Sequence, residues 1–224
     1  MDESNQKAKG DAVRGAMKQR RFPVWVTVGT VWLLLVVTGM AVVLRHAYTP
    51  GVSAGKSATW PPDSKISLDA NRLTLVMFAH PHCPCTRATL GELNQLMSDR
   101  PGTIAAQVWF IKPDGMPDDW TATDLWRQAA AIPGVSVHED ISGAEAKRFH
   151  AGTSGETLLY DQNGRLLFGG GITLARGHSG DNPGRDALEA IASRQTPDLC
   201  ETPVFGCALF EATCSAGQTN FCTR

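Results

Sequence analysis

The sequence carries almost no net charge, so it lacks the overall positive charge that would attract a polyanion. Its 21 basic and 22 acidic side chains nearly cancel over 224 residues, so no overall positive field would hold it on nucleic acid. It also lacks an internal repeat, a low-complexity tract and a phosphate-binding glycine motif before a predicted helix. These absences argue against a nucleic-acid partner and a repeat architecture. One packed domain with accessory segments is the expectation for this length.

Charge is missing altogether from Phe22 to Leu44, a run rich in valine, leucine and tryptophan. As a helix this run would extend about 34 Å, enough to cross a hydrocarbon core of about 30 Å. A helix packed on the core of a soluble domain would carry a stripe of polar residues along one face, and this run has no such stripe. The run therefore predicts a transmembrane helix. Basic residues crowd the segment before it, at Lys7, Lys9, Arg14, Lys18, Arg20 and Arg21.

The distribution of positive charge predicts the orientation of this helix. Only Arg45 and Lys56 follow it closely, and the positive-inside rule keeps the more basic side in the cytoplasm. We predict a cytoplasmic basic segment (1–21), one transmembrane helix (22–44) in the inner (cytoplasmic) membrane, and the rest of the chain on the periplasmic, extracytoplasmic side. In such a compartment disulfides persist.

A cleaved signal peptide is the alternative to this single-pass anchor. Val52-Ser53-Ala54 resembles a small-residue cleavage site. The apolar run is longer than a usual signal core, and Arg45 intervenes before that site. Both observations favour a retained signal-anchor.

Composition divides the exported part into three segments. Pro, Gly, Ser and Ala dominate 45–63 without apolar periodicity, which is typical of a linker. The predicted folded domain covers 64–198. A cysteine-rich tail over 199–224 follows it.

Apolar periodicity within the domain alternates between the patterns of strands and helices. Strands are predicted over Leu73–Ala79, Ile104–Ile111, Val135–His138, Thr157–Tyr160 and Leu166–Gly169. Helices are predicted over Thr86–Met97, Thr123–Ile132 and Ser142–His150, and from Asn182 onwards. The last two strands flank an Asn163-Gly164 turn, a strong hairpin signal. The order predicts an α/β fold, a mixed sheet with flanking helices in which parallel pairs are closed by an antiparallel hairpin.

Two of the predicted helices carry capping signals at their start. Ser142 followed by Glu145 has the spacing of a capping box. Asn182 followed by Pro183 places a good N-cap residue before a proline suited to the first helical position.

Cys83 and Cys85 lie where a buried strand is predicted to end and a helix to begin. A helix amino terminus presents free N–H groups and partial positive charge, which stabilise a thiolate. We expect Cys83 to be the more acidic and more exposed thiol. Cys85 is placed to attack a mixed disulfide on Cys83 or to close a strained ring with it. His80 and His82 could favour the thiolate as imidazolium groups.

The segment Phe78 to Leu93 resembles the thioredoxin superfamily, in particular membrane-anchored thiol-disulfide oxidoreductases of the TlpA and ResA kind. Phe78, Pro81, Cys83 and Arg87 fall on matching positions, with His82 where the family has an aromatic residue. Residues 157–165 look like the family's late hairpin. The resemblance covers roughly 64–194 and implies a thioredoxin-like fold, redox-active cysteines without a bound cofactor, and protein thiols or disulfides as partners.

Two family positions hold other residues in this chain. Aligned from Cys83, the family's second cysteine falls on Thr86, which leaves Cys85 in a C-x-C arrangement; aligned from Cys85, the first cysteine becomes His82. Glu156 occupies the position before the late strand where the family has a cis proline. Thr86 and Glu156 are therefore predicted to modulate the site.

Two other functions fit the same cysteines. His80, His82, Cys83 and Cys85 combine imidazole and thiolate within a short stretch, a donor set suited to copper. The chain could then be a copper-binding or metallochaperone module. A thioredoxin-like scaffold without catalysis is the third hypothesis.

The remaining motifs lie in the second half of the chain. Cys200, Cys207, Cys214 and Cys222 are spaced C-x6-C-x6-C-x7-C among Pro, Gly, Thr and Ser. Without short C-x-x-C pairs they predict structural disulfides rather than a zinc site, with three connectivities open. Arg176 and His178 follow a glycine-rich stretch and could face the thiol end of the sheet.

Overall fold

The computed structural model describes residues 23–52 and 55–210, which fall in two compact units, Met1–Leu44 and Arg45–Arg224. Helix α1 (Val24–Ala47) has no buried residue. Among the described residues it is the one helix long and apolar enough to cross a membrane. By length and composition it is a candidate membrane span at the position that the uncharged run predicts.

The second unit is built on one five-stranded sheet. Its strands are β1 (Leu73–Ala79), β2 (Ile104–Lys112), β3 (Val135–Ile141), β4 (Glu156–Tyr160) and β5 (Leu166–Gly170). Its helices are α2 (Thr86–Asp99), α3 (Asp124–Ala130), α4 (Ala144–Arg148) and α5 (Pro183–Ala192). The strand order is β3-β2-β1-β4-β5, with β1, β2 and β3 parallel and with β4 antiparallel to both β1 and β5. The predicted mixed sheet with flanking helices, in which parallel pairs are closed by an antiparallel hairpin, is confirmed.

Strand β1 lies at the centre of the sheet and is buried on both faces. Leu75 and Met77 pack with apolar residues of α2, α3 and α5 on one face. Val76 and Phe78 pack on the other face with Phe149, next to α4. Central burial explains why β1 reads as a continuous apolar run rather than as alternation. Its carboxyl end delivers the chain to the two cysteines.

One predicted helix cap is wrong and the other is confirmed. At α4 the N-cap is Gly143, with a left-handed φ of 61°, and the Ser142 side chain contacts Asp114 instead. Asp140 takes over the capping, since its carboxylate accepts hydrogen bonds from the amides of Glu145 (2.9 Å) and Ala146 (2.8 Å). At α5 the Asn182 side chain accepts from the Arg185 amide at 2.9 Å, as predicted.

Part of the predicted linker packs on the domain instead. The Trp60 ring lies edge-on to Phe149 and Tyr160, with centroids 5.1 and 5.0 Å away. The Trp60 amide donates to the Gly164 carbonyl at 2.7 Å, and the Leu166 amide donates to the Ala58 carbonyl at 3.0 Å. These contacts cover the β4–β5 hairpin. A single aromatic residue thus overrides the linker-like composition around it.

The predicted tail also joins the domain as far as it is described. Its residues 200–210 have no helix or ladder of their own but form isolated bridges, Glu201 to Gly169 and Ala208 to Thr153. Leu209 is buried in the same core cluster as Phe78. We call residues 200–210 the C-terminal segment. Cys214 and Cys222 lie outside the described residues.

Candidate active site

The turn between β1 and α2 sets the positions of the two neighbouring cysteines. The Cys83 amide donates to the His80 carbonyl, and the Thr86 amide donates to the Cys83 carbonyl, each at 3.1 Å. Cys85 is the N-cap of α2 and has helical dihedrals, φ −66° and ψ −28°. The backbone is therefore already turning as a helix when it passes the cysteines.

The Cys83 sulfur is enclosed and surrounded by hydrogen-bond donors. Its residue is 1% exposed, and the Cys207 amide donates to Sγ at 3.4 Å. Burial alone would raise the pKa of Cys83, but hydrogen bonds from the Cys207 thiol and amide, the Thr86 hydroxyl and the Cys85 amide outweigh it. The pKa therefore lies below its ordinary value of 9.0.

A chain of hydroxyl groups orients the Thr86 donor. The His80 amide donates to Ser154 Oγ at 2.8 Å, and Ser154 Oγ lies 2.8 Å from Thr86 Oγ1. Because the Thr86 hydroxyl lowers the pKa of Cys83 by directing its proton at the sulfur, Thr86 Oγ1 must accept from Ser154 Oγ. Both hydroxyl residues are buried, where aligned hydrogen bonds reinforce one another.

Cys85 differs from Cys83 in exposure and in acidity. It is half-buried. Burial and the negative charge of Cys83 raise its pKa, and Arg176 opposes them in part. The pKa of Cys83 is lowered while that of Cys85 is raised, which is the order of acidity that the sequence predicts. The prediction that Cys83 is the more exposed thiol is wrong, because the C-terminal segment lies over it.

Cys207 brings a third thiol to the site. Its carbonyl accepts from the Ser154 amide at 2.8 Å, and the next contact along, Leu209 amide to Gly152 carbonyl, is 2.9 Å. Burial raises the pKa of Cys207 to about 12, with the neighbouring charges of Cys83 and Cys85 adding to the effect. Cys207 is held in the protonated form and donates toward Cys83.

Gly206 and Arg176 fix the approach of Cys207. A Cβ atom on Gly206 would lie 1.9 Å from the Ser154 carbonyl oxygen, so only glycine lets the segment come this close. Arg176 donates through Nη1 to the Gly206 carbonyl, and its positive charge acts to lower the pKa of Cys85. The structure thus places Arg176 at the thiol end of the sheet, where the sequence suggested it.

The rings of both histidines lie against Trp120. The His82 ring centroid is 4.4 Å from that of Trp120, and the His80 Nδ1 atom accepts from the His82 amide at 3.2 Å. Burial lowers the pKa of His80, and the charge of His82 adds to this. His80 is therefore neutral at pH 7 and supplies no positive charge to Cys83. A cleft lined by His80, Trp120, Leu209 and Phe210 opens beside the site.

The donor set proposed for copper is not assembled. Over residues 23–52 and 55–210, no group of three or more His, Cys, Asp or Glu side chains is arranged to hold a metal ion. The rings of His80 and His82 pack on Trp120 instead of converging with Cys83 and Cys85.

Other predicted site residues make their hydrogen bonds with groups other than the thiols. Glu156 begins β4, opposite Phe78 on β1, and its Oε2 accepts from the Gly152 amide at 2.9 Å. His178 is exposed, and its amide donates to the Ala175 carbonyl. Cys200 is exposed, and both it and Cys207 carry free thiols. The disulfide pairing of the four C-terminal cysteines stays a prediction, since Cys214 and Cys222 lie outside the described chain.

Sequence patterns alone did not identify Ser154 and Gly206 as part of the site, or Cys207 as a neighbour of Cys83. Ser154 is a polar residue in the loop two positions before β4, and this placement is the local signal that could indicate it. The Gly206-Cys207 pair stands in an irregular stretch without any periodic signal. Its contact with Cys83 joins residues 124 positions apart, a separation that no local pattern encodes.

The chain is similar to several solved structures, while no protein-family model and no curated protein matches it. An uncharacterised conserved protein of Geobacillus kaustophilus shares 18% identity at a TM-score of 0.53, covering 72% of this chain and 92% of that one. A hypothetical protein of Sinorhizobium meliloti shares 20% identity at 0.54, covering 72% and 93%. A secreted Mycobacterium tuberculosis disulfide oxidoreductase, homologous to E. coli DsbE, shares 13% at 0.42, covering 67% and 98%. The first two likenesses establish a shared fold.

Proposed function

We propose that this chain is a membrane-anchored thiol-disulfide oxidoreductase that acts on exported proteins through Cys83 and Cys85. The observation that carries the proposal is the environment of the Cys83 sulfur, which accepts a hydrogen bond from the Cys207 amide at 3.4 Å and whose pKa is held below its ordinary value by polar groups of Cys207, Thr86 and Cys85. Such donors stabilise a thiolate, the reactive form in disulfide exchange. A merely structural buried cysteine would have no need of them.

The proposed reaction is a two-step exchange. The Cys83 thiolate attacks one sulfur of a partner disulfide, the partner's S–S bond breaks, and the partner's other sulfur leaves as a thiolate. A second thiol of this chain then attacks the Cys83 sulfur, releases the partner's first sulfur and leaves an intramolecular disulfide. The partner gains two electrons and this chain loses two. The reverse sequence oxidises a partner dithiol.

The enclosure of Cys83 sets a condition on this reaction. With 1% of the residue exposed, a protein disulfide reaches the sulfur only after the covering segment around Cys207 shifts. That segment is attached through isolated bridges and single hydrogen bonds, which open at lower free energy than the central strands. Half-buried Cys85 marks the side from which a partner enters.

The anchor is proposed on the character of α1 together with the charge asymmetry around it. The helix has 24 residues and no buried side chain, and the basic residues cluster on its amino-terminal side. An exported active site meets disulfides as well as thiols. Reporter fusions after Arg45 and before Phe22 test the orientation, and activity of a periplasmic reporter fused before Phe22 would contradict it.

A single substitution tests the redox proposal. The full chain is purified in detergent micelles and assayed for dithiol exchange with a disulfide-bonded protein substrate, in the wild type, Cys83→Ser and Cys200→Ser. We expect Cys83→Ser to lose at least about 100-fold in rate, because the attacking thiolate is gone. Cys200→Ser is the matched control, because it removes an exposed thiol of the same chain, and it should retain the wild-type rate.

The opposite outcomes separate the alternatives. Full exchange activity in Cys83→Ser would refute the oxidoreductase proposal. Wild-type protein that shows no exchange, but retains stoichiometric copper after purification under reducing conditions, would support the copper-binding alternative. Absence of both properties would indicate a scaffold without catalysis.

A further inference from the structure

Of the two tail cysteines within residues 200–210, Cys207 is the one that lies at the reactive sulfur. Its amide nitrogen lies 3.4 Å from Cys83 Sγ and donates a hydrogen bond to it. The contact is held on both sides, by the Ser154 amide donating to the Cys207 carbonyl and by Arg176 donating to the Gly206 carbonyl. These contacts hold the Cys207 residue beside the nucleophile.

Cys85 is less well placed to form a disulfide with Cys83. The two cysteines are separated only by Pro84, whose ring fixes its φ angle. Cys85 already has helical dihedrals, and side chains two residues apart on a helical turn do not face each other. Their thiols interact, but a bond between them would close a small, strained ring. Cys207 belongs to a separate segment, so no such ring constrains its bond to Cys83.

We propose that Cys207 is the resolving thiol of the exchange reaction, so that turnover produces a reversible Cys83–Cys207 disulfide. This inference rests on the proposed function and replaces Cys85 in the second step. Cys85 then serves as a neighbouring thiol that faces the entry side of the site. The C-terminal segment becomes part of the active site.

The atoms balance with a protein disulfide as the oxidant. After Cys83 has formed a mixed disulfide with the partner, Cys207 loses its proton to solvent and its sulfur attacks Cys83 Sγ. The bond between Cys83 and the partner breaks, and the partner sulfur leaves as a thiolate and is protonated. A dithiol of a second exported protein restores the reduced state by the reverse exchange.

The electrostatics of the site would determine when Cys207 ionises and becomes reactive. In the resting state the negative charge of Cys83 contributes to the raised pKa of Cys207, after burial. In the mixed disulfide Cys83 carries no charge, so that contribution disappears and Cys207 ionises more readily. Arg176 continues to favour the Cys207 thiolate. Cys207 is therefore inactive until its target has formed.

Disulfide mapping of the full chain tests the proposal. Reduced protein in detergent micelles is treated with one equivalent of oxidised glutathione, trapped with N-ethylmaleimide and digested with trypsin and a protease that cleaves after glutamate. Cleavage after Glu201 and Glu211 releases residues 202–211, which contain Cys207 and no other cysteine. The variants compared are Cys85→Ser, Cys207→Ser and the control Cys200→Ser.

We expect peptide 202–211 to be linked to the peptide of Cys83 in the wild type, in Cys200→Ser and in Cys85→Ser. In Cys207→Ser the glutathione adduct on Cys83 should persist at least about tenfold longer. A link from Cys207 to Cys214 or Cys222, or loss of the mapped disulfide in Cys85→Ser, would overturn the proposal. The Cys85→Ser result leaves Cys207 untouched, so it holds even if Cys207→Ser misfolds.

The two proposals fail in different ways. If Cys83→Ser retains exchange activity, the oxidoreductase function fails whatever disulfide is mapped. If Cys83→Ser is inactive and Cys207→Ser resolves its glutathione adduct as fast as Cys200→Ser does, the oxidoreductase function stands and only the role of Cys207 is refuted.

Discussion

The active site draws its thiols from two regions that are built in opposite ways. The β1–α2 turn positions Cys83 and Cys85 by hydrogen bonds between residues three apart, such as Thr86 amide to Cys83 carbonyl. The C-terminal segment positions Cys207 by bridges to loops far away in sequence, at Thr153 and Gly169. One region is set by local backbone geometry, and the other by tertiary contacts.

The difference assigns the two regions different tasks in the proposed reaction. The turn follows a central strand that is buried from Thr74 to Ala79, so it provides a fixed position for the nucleophile. The C-terminal segment lacks a ladder of its own, so it can move off Cys83 and return at modest free-energy cost. The partner protein and Cys207 must reach the Cys83 sulfur one after the other. This requires a nucleophile in a fixed position and a resolving thiol that can move.

The largest effect on this comparison is expected from Gly206→Ala. The new Cβ would lie 1.9 Å from the Ser154 carbonyl oxygen, so the segment must move away from its loop, and overpacking of this kind costs about 1–3 kcal/mol. Hydrogen exchange should show the Ser154 amide losing its protection, and the yield of the Cys83–Cys207 disulfide should fall by about tenfold.

Gly91→Ala is the matched control for Gly206→Ala. Gly91 lies on α2 with open space around its Cα, and alanine is favoured over glycine in a helix by about 0.5–1 kcal/mol. We expect unchanged protection at Ser154 and slightly higher stability. Retained Ser154 protection in Gly206→Ala would show that the segment is not held by close backbone contact.

A smaller effect should follow from Thr86→Val, which alters only the turn region. The substitution keeps the shape but removes the hydroxyl that donates to Cys83, and a hydrogen bond to a charged group is worth about 1.5–3 kcal/mol. The pKa of Cys83 should rise, so the thiolate fraction at pH 7, followed by its ultraviolet absorbance, should fall by about tenfold. Thr86→Ser should restore it; equal absorbance in all three proteins would contradict the donor chain.

The same comparison shows which parts of the site can be predicted from sequence. The strand-to-helix transition around Cys83 follows from local periodicity, and the Asn182 cap follows from residue type and spacing. Ser142 is not the cap because Gly143 adopts a left-handed φ of 61° and the Asp140 carboxylate accepts the hydrogen bond from the Glu145 amide. Both Ser142 and Asp140 are polar residues close to the start of α4, and the tertiary structure determines which of them caps the helix.

Non-local contacts account for the rest. The contact between Cys207 and Cys83 spans 124 positions, and composition placed Cys207 in a structural tail. The neighbours of Trp60 are Pro, Ser and Thr, a composition typical of a linker, whereas its ring packs against Phe149 and Tyr160. In both cases one residue in an irregular segment determines where the segment packs. The neighbouring residues show no sequence pattern that would predict this position.

The smallest predicted effect concerns Glu156, at the loop that receives the C-terminal segment. Burial, the largest cause, raises the pKa of its carboxyl group, and hydrogen bonds from the Gly152 and Thr153 amides only partly offset this. A raised folded pKa means that its contribution to stability is complete below the ordinary value of 4.5 and is lost as pH rises through the folded value. Glu156→Gln should avoid that loss.

At neutral pH we therefore expect Glu156→Gln to raise the midpoint of thermal unfolding by about 2–4 °C, equivalent to about 1 kcal/mol. The amide oxygen can still accept from the Gly152 amide, so the loop that pairs with Leu209 keeps its shape. The advantage should vanish below about pH 4.5, where the wild-type carboxyl is protonated. Thermal unfolding across this pH range is the measurement, and an equal advantage at every pH would mean that packing, not ionisation, distinguishes the two proteins.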